Sequence, residues 1–136
     1  MGRLLLIGNS RWHWAELDAH SGDLRCWHTA PAASLDQAEE ERLQAWAAVG
    51  ALPSQLASGR ARRIGLEDVP LQGLPPWLGT DRALVGWRAW QQQGDAVLVA
   101  DAGTALSLTR VSAEGGFAGG LISAGVALQL RALTGS

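Results

Sequence analysis

Two segments of the chain place a glycine and a hydroxyl-bearing residue in a short turn that follows an apolar run. Residues 4–7 lead into Gly-Asn-Ser at 8–10, and residues 97–100 lead into Asp-Ala-Gly-Thr at 101–104. Glycine lets a backbone approach a ligand closely, and a turn of N–H groups beside a hydroxyl can bind phosphate oxygens. The repeated pattern therefore predicts two phosphate-binding hairpins and indicates nucleotide-dependent phosphoryl transfer.

The segment Gly79-Thr80-Asp81-Arg82 places an acid and a base at the start of a predicted helix, where the helix dipole favours an anionic group. Arg82 could bind a substrate carboxylate through two N–H groups, and Asp81 could accept the proton of a hydroxyl. Asp101, at the end of a strand, could hold a cation. For each motif taken alone a structural role stays open, because an Asp in a turn often bonds its own backbone.

The apolar patterns around these motifs predict the elements that position them. In the first half the predicted elements are strands at 3–8, 11–17 and 24–29, a helix from Ser34 to about residue 44, and a strand at 46–52. An irregular loop follows at 53–79. In the second half they are a helix at 81–92, strands at 96–101, 104–110 and 117–120, and a helix at 122–133.

The order β-β-β-α-β is the opening of a ribonuclease-H-like α/β fold, and the second half begins that order again. We therefore predict one ribonuclease-H-like (actin-like ATPase) lobe with a mixed sheet, followed by the first strands and helix of a second similar lobe. The predicted domains are residues 1–93, which include the acceptor-site loop, and residues 94–136, the truncated start of the second lobe.

Composition narrows the class of protein. The 136 residues are 47% hydrophobic and 18% charged with a net charge of −2, which is typical of a globular domain with a packed core. The weak charge predicts no nucleic-acid partner. No apolar stretch approaches the roughly 20 residues of a membrane span, and no signal peptide is evident, so we predict a cytoplasmic protein without a membrane partner. Cys26, the single cysteine, is predicted to be a buried thiol.

The chain holds seven tryptophans and no tyrosine. Trp12 and Trp14 are predicted to share one face of a strand, and Trp87 and Trp90 one face of a helix. We interpret these pairs as parts of the core or of a subunit interface, and an aromatic platform for a ligand stays open as the alternative.

Taken together, the motifs give the chain a family resemblance. It resembles a type III pantothenate kinase of the actin-like superfamily over nearly all of its length, most specifically at 79–82, 101–105 and 119–122. The first hairpin is similar to that of the cyanobacterial branch. The resemblance implies ATP-dependent phosphorylation of pantothenate to phosphopantothenate, the first step of coenzyme A biosynthesis. It also implies Mg²⁺, a monovalent cation (K⁺ or NH₄⁺) and a homodimer.

The resemblance further implies a role for each motif residue. Asp81 would be the catalytic base, and Gly79, Thr80, Asp81 and Arg82 would bind pantothenate, with Arg82 on its carboxylate. Asp101 would bind the monovalent cation. The residues implied to bind ATP are Leu6, Ile7, Gly8, Asn9, Ser10, Arg11, Trp12, His13 and Thr104.

The chain departs from the family pattern at Leu6, where the usual residue is an Asp that helps to organise magnesium and phosphates, and at Thr109, where many members have an Asp. We expect the chain to be the N-terminal portion of such a kinase and to bind ATP poorly by itself. Two alternatives stay open. One is a non-catalytic or truncated homologue that acts as a regulatory or dimerising module, and the other is a sugar-kinase-like enzyme with a different acidic acceptor.

Overall fold

The continuous and alternating apolar runs of the first 65 residues form a mixed five-stranded sheet in the computed structural model, which describes residues 2–135. The strands are β1 (Arg3–Ile7), β2 (Trp12–Leu17), β3 (Leu24–Thr29), β4 (Leu43–Ala48) and β5 (Arg62–Arg63). Their order is β3-β2-β1-β4-β5. β2 is antiparallel to both β1 and β3, whereas β4 is parallel to both β1 and β5.

The core of this unit lies on one face of its sheet. Leu5 and Ile7 of β1 pair with Trp14 and Trp12 of β2, and all four side chains are buried. Trp14 stacks on Trp27 with ring centroids 6.1 Å apart and an interplanar angle of 5°. The prediction that Trp12 and Trp14 share a strand face is confirmed, and their role is in the core.

Helix α1 (Gln37–Arg42) is shorter than predicted and begins at a different cap. The carboxylate of Asp36 accepts the N–H of Glu39 at 2.7 Å, and the carboxylate of Glu39 accepts the N–H of Asp36 at 3.0 Å. This reciprocal capping box satisfies two N–H groups at the helix start, so the predicted cap at Ser34 is wrong. The strand predicted at 46–52 is also misplaced, because β4 starts at Leu43, directly after α1, and ends at Ala48.

The second unit is built from a helix, an antiparallel sheet and a second helix. Its elements are α2 (Thr80–Gln93), β6 (Val97–Ala102), β7 (Ala105–Val111), β8 (Phe117–Ala124) and α3 (Val126–Thr134). The sheet has the order β6-β7-β8. The predicted helix at 122–133 begins too early, because Ile122 and Ser123 pair with Ser107 and Leu106 of β7 and extend β8 to Ala124.

The core of the second unit lies between α2, the sheet and the segment before α2. Gly86 brings α2 close to β7, since a Cβ at this position would lie 3.3 Å from Val111. The segment predicted as an irregular loop contributes buried apolar side chains at Val69, Leu71 and Leu78. Trp87 and Trp90 pack against this core from α2, which confirms their interpretation as core residues.

The sequence also predicted the burial of Cys26 and the boundary between domains. Cys26 is exposed on β3, at the edge of the first sheet, so the prediction of a buried thiol is wrong. The chain divides into two compact units between Gly65 and Leu66. The predicted boundary between two lobes, at residues 93 and 94, stays a prediction. None of the helices formed by residues 2–135 has the length and apolar character needed to cross a membrane.

Candidate functional site

The first predicted phosphate-binding hairpin is the turn between β1 and β2. The N–H of Gly8 donates to the carbonyl oxygen of Arg11 at 3.0 Å and closes the turn. Beyond the end of β4, the N–H groups of Val49 and Gly50 donate to the carbonyl oxygen of Ile7 at 2.9 and 3.2 Å. A Cβ on Gly50 would overlap the carbonyl oxygen of Gly8, so glycine allows these two segments of backbone to lie in contact.

The residues predicted to bind ATP in this hairpin differ in how far their side chains are buried and in the sheet face on which they lie. Ile7 and Trp12 have buried side chains that belong to the core, so only their main chain is accessible to a ligand. Leu6 and His13 face each other across β1 and β2, on the face opposite to that core. The remaining turn residues are exposed at Asn9, Ser10 and Arg11 and half-buried at Gly8.

The second predicted hairpin is the turn between β6 and β7. The N–H of Gly103 donates to the carbonyl oxygen of Ala105 at 3.0 Å, and the N–H of Gly125 donates to the carbonyl oxygen of Thr104 at 2.8 Å. Gly125 is the N-cap of α3, so the start of this helix lies against the turn. Asp101 is exposed near the end of β6 and pairs with Ser107.

The N-terminus of α2 carries the acid–base pair predicted from the sequence. Gly79 is the N-cap, in an extended conformation, and its carbonyl oxygen accepts the N–H of Ala83 at 3.1 Å. Asp81 lies in the first turn, where the helix dipole stabilises a carboxylate. Its Oδ1 accepts the main-chain N–H of Arg82 at 2.8 Å, which fixes the orientation of the carboxylate.

The side chain of Arg82 crosses from α2 to β7. Its Nε donates to Thr109 Oγ1 at 3.1 Å, and its Nη2 donates to the carbonyl oxygen of Leu108 at 2.9 Å. Sequence reasoning did not connect Thr109 with Arg82. Thr109 is a polar residue in a predicted strand with apolar neighbours, and this pattern was the signal that its hydroxyl needed a buried hydrogen-bond partner.

The second unit places the predicted acceptor and cation residues on one face of its sheet. Thr109, which holds Arg82, pairs with Val99, and Asp101 is two residues further along the same strand as Val99. Since side chains alternate along a strand, Asp101 and Thr109 share the face that α2 covers, about 7 Å apart along the strand direction. The structure therefore brings the side chain of Arg82 to the sheet face that also carries Asp101.

The described residues offer few ligands for a metal ion. Between residues 2 and 135 there is no group of three or more His, Cys, Asp or Glu side chains that could hold one. Asp101 offers a single exposed carboxylate, and carboxylate oxygens suit a hard cation. Leu6 offers no ligand to a cation at the first hairpin.

Comparison with known proteins gives the motifs a family context. The family model described as type III pantothenate kinase matches residues 69–136. A type III pantothenate kinase of Thermosynechococcus vestitus is 44% identical over 132 residues, which cover 95% of this chain and 52% of the relative. The enzyme of the same name from Synechococcus elongatus is 40% identical over 149 residues, covering 98% of this chain and 60% of the relative.

The chain spans about half the length of the curated relatives it matches. Among solved structures, YeaZ from Pseudomonas aeruginosa is similar with a TM-score of 0.33 and 18% sequence identity, covering 90% of this chain and 66% of that one.

Proposed function

The chain belongs to the type III pantothenate kinase family, and we propose that it takes part in the ATP-dependent phosphorylation of pantothenate to phosphopantothenate, the first step of coenzyme A biosynthesis. The observation that carries this proposal is the arrangement at the N-terminus of α2. There an oriented carboxylate, Asp81, and an anchored guanidinium, Arg82, are neighbours on one turn of helix.

Asp81 is proposed as the base that accepts the proton of the pantothenate hydroxyl. A general base needs an oriented carboxylate oxygen within hydrogen-bond reach of the hydroxyl. The bond from the N–H of Arg82 to Oδ1 supports this role, because it holds the carboxylate in place and leaves Oδ2 for the substrate. The proton moves to Asp81 as the hydroxyl oxygen attacks the γ-phosphorus of ATP, and ADP leaves.

Arg82 is proposed to bind the carboxylate of pantothenate, with Gly79 and Thr80 completing the acceptor site. A guanidinium presents N–H groups in a planar fork that matches a carboxylate. Because a carboxylate lies at one end of pantothenate and the reacting hydroxyl towards the other, binding the carboxylate would help to align the hydroxyl with the base.

ATP is proposed to contact the main chain of the first hairpin, residues 6–13, and Thr104 of the second. Asp101 would hold the monovalent cation, whose charge would balance that of the phosphates. Between residues 2 and 135 no group of three or more His, Cys, Asp or Glu side chains could hold Mg²⁺. Mg²⁺ is proposed to enter on the phosphates of ATP, as is common for this ion.

The finer fold class belongs to this proposal as well. A ribonuclease-H-like lobe is supported by the order β3-β2-β1-β4-β5, with an antiparallel pair of hairpins followed by a helix and a parallel strand. The start of a second similar lobe is supported by β6 to β8 and α3, which repeat three antiparallel strands followed by a helix. A homodimer is proposed on the family resemblance alone, and the cytoplasmic location stays a prediction from the sequence.

The proposal is tested by incubating the chain with ATP, Mg²⁺, K⁺ and pantothenate, and detecting phosphopantothenate by mass spectrometry. Calorimetry with pantothenate and with ATP, each titrated separately, accompanies the assay. Phosphopantothenate formation supports the proposed kinase. Binding of pantothenate without product or any response to ATP would instead favour the non-catalytic or truncated homologue, and preference for a neutral sugar over pantothenate would contradict the proposed substrate.

A further inference from the structure

Two hydrogen bonds fix the guanidinium of Arg82 to β7. Nε donates to Thr109 Oγ1 at 3.1 Å, and Nη2 donates to the carbonyl oxygen of Leu108 at 2.9 Å. Thr109 is only 3% exposed, so water competes weakly for its hydroxyl. Bonds from two different nitrogens of one planar group define both its position and its rotation.

Two glycines leave the space that this arrangement needs. Gly86, one turn after Arg82 on α2, lies where a Cβ would be 3.5 Å from the Cγ2 of Thr109, so the helix approaches β7 closely. Gly120 pairs with Thr109 across β7 and β8. A Cβ on Gly120 would lie 2.8 Å from Nη2 of Arg82 and would overlap the carbonyl oxygen of Leu108.

The charge of Arg82 is not neutralised by the groups that hold it. The acceptors on Thr109 and Leu108 are an uncharged hydroxyl and an uncharged carbonyl, and the two bonds use two of the five N–H donors of the guanidinium. The neighbouring carboxylate of Asp81 bonds the main-chain N–H of Arg82. A half-buried cation with donors remaining favours an anionic ligand.

We propose that Thr109 and Gly120 are positioning residues for substrate recognition, which hold Arg82 in the orientation that receives the carboxylate of the acceptor. Thr109 orients the guanidinium, and Gly120 leaves the space in which it lies. The inference rests on the proposed function, because it assumes an acceptor with a carboxylate. The preference for an acceptor with a carboxylate over a neutral one then depends on the buried hydroxyl of Thr109, which does not itself contact the substrate.

The first experiment measures the hydrogen bond itself, without any ligand. In the full 136-residue chain, the exchange of the Arg82 Nε–H with water is followed by NMR. Thr109→Val keeps the branched shape of the side chain and removes the acceptor, so we expect exchange to be about tenfold faster, as for one lost bond from a charged donor. Thr109→Ser should restore slow exchange. An unchanged rate in Thr109→Val would overturn the inference.

The second experiment measures the consequence for recognition. Calorimetry compares pantothenate with its alcohol analogue, in which a hydroxymethyl group replaces the carboxylate. In Thr109→Val we expect pantothenate to bind about tenfold more weakly and the analogue to change by less than about twofold, with recovery in Thr109→Ser. Equal weakening of both ligands would indicate a general structural role for Thr109 and would overturn the positioning role.

Gly120→Ala provides a second variant if Thr109→Val fails to fold, as judged by circular dichroism. Its methyl group should displace both the guanidinium and its acceptor, the carbonyl group of Leu108, and reduce the preference for pantothenate over the analogue; an unchanged preference would overturn the role of Gly120. Failure of the proposed function gives a different result. If the unmodified chain binds neither ligand while Thr109→Val still releases the Nε–H, the proposed substrate is wrong and the role of Thr109 in orienting Arg82 is supported.

Discussion

The main-chain N–H of Gly125 donates to the carbonyl oxygen of Thr104 at 2.8 Å, which attaches the start of α3 to the turn between β6 and β7. A side chain at Gly125 would lie 2.6 Å from that oxygen and would overlap the carbonyl oxygen of Gly103. The shape of the second hairpin turn therefore depends on a glycine about twenty residues beyond it in the chain.

Substitution of Gly125 should reduce the stability of the second unit. We expect Gly125→Ala to lower the free energy of unfolding by about 1–3 kcal/mol, because the methyl group must displace the backbone of the turn. Urea denaturation followed by circular dichroism measures the change. Gly103→Ala is the matched control, since a Cβ there would have its nearest neighbour, the carbonyl oxygen of Ala105, at 3.8 Å. Equal losses in both variants would contradict this account.

Substitution of Asp81 should separate catalysis from folding. In Asp81→Asn the amide oxygen can still accept the N–H of Arg82, so the thermal midpoint should stay nearly unchanged, whereas the proton acceptor is lost. We expect phosphorylation to fall roughly 10²–10⁴-fold in the kinase assay, as for removal of a general base.

Asp95 supplies the control for that variant. It follows α2, and its Oδ1 accepts the N–H of Ala96 at 2.7 Å, in the same local geometry as Asp81 with Arg82. Asp95→Asn should leave the rate unchanged. A normal rate in Asp81→Asn would exclude Asp81 as the base.

Removal of one hydroxyl should destabilise the first unit. The indole N–H of Trp14 donates to Thr29 Oγ1 at 3.0 Å, and Trp14 is 2% exposed. Thr29→Val leaves this N–H without its acceptor at nearly constant volume, so we expect a loss of about 1–3 kcal/mol in the free energy of unfolding. Thr29→Ser keeps the hydroxyl and should cost less. Denaturation of both variants compares the two, and an equal loss would assign the effect to packing.

The turn between β2 and β3 should be sensitive to acid. The N–H groups of Ser21 and His20 donate to the Asp18 carboxylate and hold its pKa below the usual value of 3.8. A carboxyl whose pKa is lowered by folding stabilises the folded turn above its usual pKa, and this contribution is lost as the pH falls through the lower value. Carboxyl NMR titration should give a midpoint below 3.8, whereas a midpoint at or above it would contradict the bonding.

Local patterns predicted those parts of the fold that depend on neighbouring residues. Alternation along the strand gave the shared face of Trp12 and Trp14, and the glycine turns gave both hairpins, whose strands are antiparallel as expected. Helix α2 was also predicted within two residues of its observed ends, and its end was marked by Gly94, which follows it with a positive φ of 69°.

Features that depend on distant residues escaped prediction. Ile122 suits either a helix or a strand, and its pairing with Ser107 makes it part of β8. Cys26 is exposed because it pairs with Ala15 on the sheet face opposite to the core, whereas its neighbour Trp27 pairs with the buried Trp14. In the candidate site, Asp81 and Arg82 were identified from their motif. The partner of Arg82 was not, since Thr109 lies 27 residues further along the chain.

The two sheets should also differ in how they form. In the second sheet each strand pairs with the next strand along the chain, so β6, β7 and β8 can assemble by successive short loop closures. The first sheet needs the parallel pairing of β1 with β4, in which Leu5 meets Trp46 from a distant part of the chain. Non-local pairing slows folding, because the chain must lose conformational entropy to close the long loop before the contacts between the strands stabilise it. We expect the joining of β4 to β1 to be the late, rate-determining event in the folding of the first unit.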